Sequence, residues 1–314
     1  MNEKTKRHIL ATIVVDGQVD AVAPTVTIAL SSYTAATDTA AMTITFSEVV
    51  TGFAVGDITI SAGGSLDNFA TADNIVFTVD WTLAAGANTM DIAAGVCTDA
   101  AGNENTAASQ FGIGAEQTQT LQPNETDGID TYIQSNAATT NYGTNAKLYV
   151  GEYPGFTFTD RALLKFTGIS QIPSNALIKT ATLKLKVLED PAGNTTGVMK
   201  AHCLLRNWVE AEATWNIYST GNNWGTAGGF NASDCEQTDI GSVTLDPAVV
   251  APNDVVSLAL TPSRVQEWVH GTVTYYGVLL KMETETDNSF AFHSSSAAVA
   301  GNRPIHEVVY RVPL

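Results

Sequence analysis

Residues 181–190 read ATLKLKVLED, and their alternation decides the fold. In an extended chain Leu183, Leu185 and Val187 point to one face while Thr182, Lys184 and Lys186 point to the other. A strand with one apolar and one polar face belongs to an antiparallel sheet that covers a core on one side. The same period of two runs outward in both directions, through KLYVGEY, RALLKFTGI, GVMKAHCLLRNW, VVSLALT and IHEVVYRV. It is equally plain in the first third of the chain, in PTVTIALSS, AAMTITFSE and NIVFTVDWTL. Gly, Asn, Asp and Ser punctuate these stretches at sandwich spacing. One segment breaks the rule: PSRVQEWVHG, with Pro262 at its start, Val265, Trp268 and Val269 at helical spacing and Gly271 at its end, predicts a helix.

The 314 residues suffice for two domains with their own cores. With 15 Lys and Arg against 32 Asp and Glu the net charge is −17, a balance that argues against binding a phosphate backbone. Between Arg7 and Lys147 there is no cation at all. Carboxylates gathered without counter-charges repel one another, and Ca²⁺ is the usual remedy for oxygen ligands on loops. Asp99, Asn103 and Asp130 are its candidate ligands; for the first two the alternative is that they cap a tight turn through backbone bonds. Cys203 and Cys235 share one half of the chain, either paired or as free buried thiols, with Cys97 left over; no spacing suggests zinc. The apolar run Ile9–Val15 is short for a signal peptide, and no stretch reaches membrane-spanning length. That run, preceded by Lys4, Lys6 and Arg7, is β-prone, so residues 1–22 are read either as an anchoring strand that adds to a partner's sheet or as a frayed terminus.

Within residues 23–113, FSEVVTGFAVGDITISAGGSLDNF followed by CTDAAGN resembles the bacterial Ig-like repeats of large surface proteins. The resemblance implies a spacer or display module. After a polar stretch at 114–128, read as a linker, the motifs DTYI, NYGTNAKLYVG, DRALLKF, NWVEAEATWN, WGTAGG, VQEWVHGTVTYYGVLLK and NRPIHEVVY follow in order. They resemble the DNRLRE domain, classed with the family-96 carbohydrate-binding modules, with the match spanning roughly residues 117–314 and the domain placed at 129–314. The expected fold class is therefore all-β: an Ig-like β-sandwich followed by a jelly-roll-type β-sandwich. The family implies a non-catalytic module. Where it usually carries a charged stretch, this chain has Ser294, Ser295 and Ser296 leading into small residues.

NWVEAEATWN, residues 207–216, sets Glu210 and Glu212 between Trp208 and Trp215, which superficially suggests a glycosidase pair. Nothing nearby orients a nucleophile or water, and in the family this segment is framework: tryptophans that pack, and glutamates that bond to loop backbone. Sugar contact requires exposed rings beside polar groups. Tyr142, Tyr153 and Trp224, in Gly/Asn-rich loops, are the candidate rings, with Arg161, Asn222 and Asn223 as polar partners; the alternative for each ring is a loop residue folded onto the core. The expected protein is no enzyme. It is a display or adhesion protein, decorating a virion or else sitting on a bacterial surface, that offers a carbohydrate-binding unit to polysaccharide and meets other subunits through its N-terminal segment.

Overall fold

The computed structural model describes residues 20–123, 128–189 and 193–314. The run Ile9–Val15 and all but the last three residues of the expected anchor lie outside the described residues. Two compact units divide at Ile113 and Gly114.

The first unit contains β1 (Val26–Thr34), β2 (Thr39–Phe46), β3 (Ile58–Ile60), β4 (Ser65–Thr71), β5 (Val76–Thr82), β6 (Asn88–Ile92) and β7 (Phe111–Ile113). They form two antiparallel sheets, β1-β2-β5-β4 and β3-β6-β7. Alternation becomes burial directly: Ala40, Met42, Ile44 and Phe46 of β2 and Phe77, Val79 and Trp81 of β5 all face the core. Phe46, Phe53 and Phe77 lock it through edge-to-face contacts at 5.0–5.8 Å. Each such side chain contributes about 1.5–3 kcal/mol when fully buried.

The second unit contains β8 (Gln117–Leu121), β9 (Gly128–Gln134), β10 (Lys147–Glu152), β11 (Thr159–Phe166), β12 (Leu177–Lys186), β13 (Gly197–Cys203), β14 (Ile217–Ser219), β15 (Asn222–Asn223), β16 (Gly241–Leu245), β17 (Val255–Leu260), α1 (Pro262–His270), β18 (Val278–Met282), β19 (Phe290–His293) and β20 (Ile305–Arg311). One sheet runs β17-β12-β20-β8, a larger one runs β16-β13-β18-β11-β10-β19 with β9 also paired to β11, and β14 and β15 form a short two-stranded sheet. Leu183 and Leu185 of β12 meet Leu164, Leu280, Phe290 and Phe292 of the opposite sheet in the main core. The helix adds Val265 and Trp268 to that core and ends on Gly271 at φ +72, a left-handed cap that favours glycine.

The stretch expected as a linker carries β8, in register with β20 from Gln117 opposite Tyr310 to Leu121 opposite His306. Its apolar signal is missing because β8 is an edge strand on which Leu121 alone is buried. The larger sheet is covered on its second face as well. The long connection from β13 to β16 folds Leu204, Trp208, Ala213, Trp224 and Cys235 over Ile133, Leu163 and Leu279. Cys203 and Cys235 are both free and belong to the cores on opposite faces of this sheet. Burial pushes their thiols up to about 12 and about 11.

Candidate functional site

The glutamates and tryptophans of the 207–216 segment have structural partners. Glu210 Oε1 accepts from the Asp130 N–H at 2.9 Å, and Glu212 Oε2 accepts from the Thr220 N–H at 2.7 Å. Trp208 donates its indole N–H to the Tyr276 carbonyl at 2.8 Å. Asn141 ties the segment down by donating to the carbonyls of Glu210 and Ala213. Gly143 follows at the closest approach, where a Cβ would stand 2.5 Å from the Glu210 carbonyl oxygen. The glutamates thus hold loop backbone.

The candidate sugar residues separate into three groups. Trp224 is not a platform: it is 4 % exposed, packs in the second-face core and donates its indole N–H to the Thr214 carbonyl at 2.9 Å. Arg161 is also engaged. Its guanidinium pairs with Glu285 through two bonds of 2.8 Å, donates to the Gly228 carbonyl and lies 5.0 Å from the Trp215 ring. Asn222 and Asn223 are exposed on β15, while the tryptophan that follows them is buried. Tyr142 and Tyr153 remain, one half-buried and one exposed.

Tyr142 belongs to a group that residue pattern alone did not assemble. Its ring stacks on Tyr132 with centroids 4.2 Å apart, and Tyr149 meets Tyr132 edge-on at 5.3 Å. The Tyr142 hydroxyl donates to Gln134, whose side chain also bonds Asp160. Asp160 is buried with Oδ1 unpartnered, and burial pushes its carboxyl up to about 7. Tyr149 stands on the outward face of β10 together with Lys147, since Leu148 and Val150 face the core. Lys147 donates to Glu189, and the Tyr149 hydroxyl lies 3.2 Å from that carboxylate. Across the β10–β19 register Lys147 stands opposite His293. His293 in turn neighbours Asn302, which accepts from Lys186 at 2.8 Å. Burial, and then Lys186, depress the basicity of His293. Lys147 and Tyr149 of β10 and His293 of β19 therefore share an outward face, which Tyr149 joins to the buried Tyr132 of β9 and through it to Tyr142, while Asn302 connects His293 to Lys186 at the end of β12 in the other sheet. The visible signal was the alternation in KLYVGEY, which puts Lys147 and Tyr149 on one face.

The candidate cation ligands do not form one set. Asp99 and Asn103 meet in the first unit, where Asp99 accepts from the N–H groups of Ala101 and Asn103 and from the Asn103 amide. The bond from the Asn103 side chain leads in holding the Asp99 carboxyl below its usual range. Oxygens of Asp20, Glu48 and Asp99 lie within 4.8 Å of one another. Asp130 is in the second unit, buried, with Ser295 donating to both of its oxygens from its N–H and its hydroxyl. The Ser294–Ser296 departure from the family pattern supplies this lock: Ser294 also donates to the Asn145 carbonyl. Both Asp130 oxygens are thereby engaged by Ser295, apart from the Asp99–Asn103 turn of the first unit.

The bacterial Ig-like domain family matches residues 20–114, and carbohydrate-binding module family 96 matches residues 117–304. No curated protein matches the chain. Both families are non-catalytic, and the second match spans more than half of the 314 residues. The chain belongs to carbohydrate-binding module family 96, its binding module following a bacterial Ig-like domain.

Proposed function

We propose that this chain is a non-catalytic decoration or fibre-type subunit of a phage virion, in which the Ig-like unit serves as spacer and the second unit binds polysaccharide or cell-surface glycan. The observation that carries the reading is the tyrosine–lysine face of β10 and β19. Pyranose C–H faces stack on aromatic rings while hydroxyls bond to amides, ammonium groups and carboxylates, and here the half-buried Tyr149 adjoins the Lys147 ammonium and the Glu189 carboxylate, with Tyr142 close by through Tyr132. Lys147 and Lys186 are partly exposed, so Lys147→Ala with Lys186→Ala is expected to leave the melting temperature unchanged and to weaken retention on immobilised polysaccharide at least tenfold. A panel of neutral and acidic polysaccharides is the test, with reducing ends assayed in parallel and none expected. Undiminished retention in the double variant sinks this site.

The setting has its own test. Immunogold label on purified particles is the expected result, and deletion of residues 1–20 is expected to abolish it. Label confined to the bacterial envelope or medium supports a cell-surface or secreted polysaccharide-binding protein instead.

Ca²⁺ belongs to the proposal through Asp20, Glu48 and Asp99. Burial, then Asp99 and Asp20, raise the Glu48 carboxyl above its usual range, a repulsion that a cation relieves. Millimolar Ca²⁺ is expected to raise the melting temperature of the first unit above its value in chelator, and Glu48→Gln to remove the difference. Superimposable wild-type curves refute it.

A further inference from the structure

Between β10 and β11 the chain reads Tyr153-Pro154-Gly155-Phe156-Thr157-Phe158. The Phe156 N–H donates to the Tyr153 carbonyl at 3.0 Å, and Gly155 sits at φ +76. Residues 153–156 are thus a turn of type II, with proline at the first corner and glycine at the second, where a positive φ is required. The turn brings its outer residues together: Tyr153 and Phe156 meet edge-on with centroids 5.6 Å apart, and Phe158 follows at 5.4 Å. Asp287 Oδ1 holds the turn by accepting from the Gly155 N–H at 3.0 Å.

The rings face water: Tyr153 is 47 % and Phe156 55 % exposed. A single exposed apolar residue is ordinary, but two adjoining aromatic rings on a proline-fixed turn form a preordered patch. Its position gives it a role. The Thr159 N–H, next after Phe158, donates to Ser135 Oγ at 2.8 Å, while the Tyr142 hydroxyl donates to Gln134. The consecutive residues Gln134 and Ser135, at and just after the end of β9, thus bond Tyr142 and the first residue of β11, into which the turn leads.

We propose that Tyr153 and Phe156 are a second stacking platform for the same polysaccharide, so that the unit grips the interior of an extended chain and not a single sugar or chain end. The inference rests on the glycan-binding reading above. The two rings present apolar faces and edges, so they interact with pyranose C–H groups and tolerate varied hydroxyl patterns. Their contribution appears only once the ligand is long enough to reach them from the tyrosine–lysine face.

The test is calorimetric titration with cello-, manno- and oligogalacturonate ladders of two to eight units. For at least one ladder the wild-type Kd is expected to fall at least tenfold between dimer and hexamer. In Tyr153→Ala with Phe156→Ala that gain is lost while the dimer Kd stays within twofold, and circular-dichroism melting is unchanged because both side chains are exposed. A double variant that keeps the wild-type length profile, or a wild type without one, overturns this inference alone. Absence of binding to every ladder overturns the glycan reading and this inference with it.

Discussion

The second unit is expected to gain stability as pH falls from 8 to 5, the reverse of the loss expected where carboxylates are held by ion pairs. Asp130 and Asp160 are the cause. Both are buried, and burial pushes each up to about 7 from an ordinary value of 3.8; for Asp130 the two Ser295 bonds oppose the rise and Glu210 adds to it. A carboxyl whose folded pKa lies above its unfolded one stabilises fully below the unfolded value, and that contribution is lost as pH rises through the folded value. The window is therefore about pH 4 to 7. Each tenfold change in a carboxyl's proton affinity is worth about 1.4 kcal/mol, and after a discount for relaxation around the buried charge the pair is expected to contribute roughly 2–4 kcal/mol. Urea denaturation followed by tryptophan fluorescence reports mainly on this unit, which holds Trp208, Trp215, Trp224 and Trp268. A general relief of the −17 charge acts in the same direction, so the decisive comparison is Asp130→Asn with Asp160→Asn. An amide at Asp130 can still accept from the Ser295 N–H and donate to its hydroxyl, so folding is retained while most of the pH slope disappears. A wild type less stable at pH 5 than at pH 8, or a double variant with the wild-type slope, refutes the assignment.

How far residue pattern reaches into this molecule depends on whether a face is decided by one strand or by a neighbour far away in the chain. The alternations in AAMTITFSE and ATLKLKVLED became buried faces because each strand's own period determines which residues point together. β8 was hidden for the opposite reason: an edge strand with mostly exposed side chains has no apolar period to read. The polar faces of the larger sheet divide in a way that period two cannot anticipate. Outward residues of β11 and β18, Arg161 and Lys281, lie under the β13–β16 connection against Trp215 and Phe230. Outward residues of β10 and β19, Lys147 and His293, remain partly exposed. The patterns DRALLKF and KLYVGEY look alike, yet a long loop folds over one and not the other. Tyr132 joins Tyr142 and Tyr149 across three separate segments, a contact that no single strand's period can anticipate. The same long-range packing put Trp224 inside when its Gly- and Asn-rich surroundings suggested a loop tip.

Trp224→Ala is expected to lower the stability of the second unit by about 3–5 kcal/mol, the range for truncating a buried aromatic side chain. Three losses add. The cavity adjoins Ile133, Leu163 and Leu279 on the sheet and Trp208 in the connection, none of which is free to collapse into it. The Thr214 carbonyl loses its indole donor. Gly229, whose Cβ position lies 3.3 Å from the ring, loses the surface on which its left-handed turn at φ +68 rests. For a unit of this size each kcal/mol corresponds to about 2–4 °C, so the melting temperature should fall by roughly 6–20 °C. Trp224→Phe keeps much of the packing and is expected to lose only about 1–2 kcal/mol, from the missing hydrogen bond and the smaller ring. A sugar-stacking tryptophan behaves differently: its truncation leaves melting unchanged and abolishes retention on polysaccharide. If Trp224→Ala melts like the wild type but no longer binds, the ring is a platform after all and the second-face core is wrongly assigned. If stability falls in the order wild type, Phe, Ala while the Phe variant keeps wild-type retention, the β13–β16 connection is a structural cover, and glycan contact belongs to the opposite, tyrosine-bearing edge of the sheet.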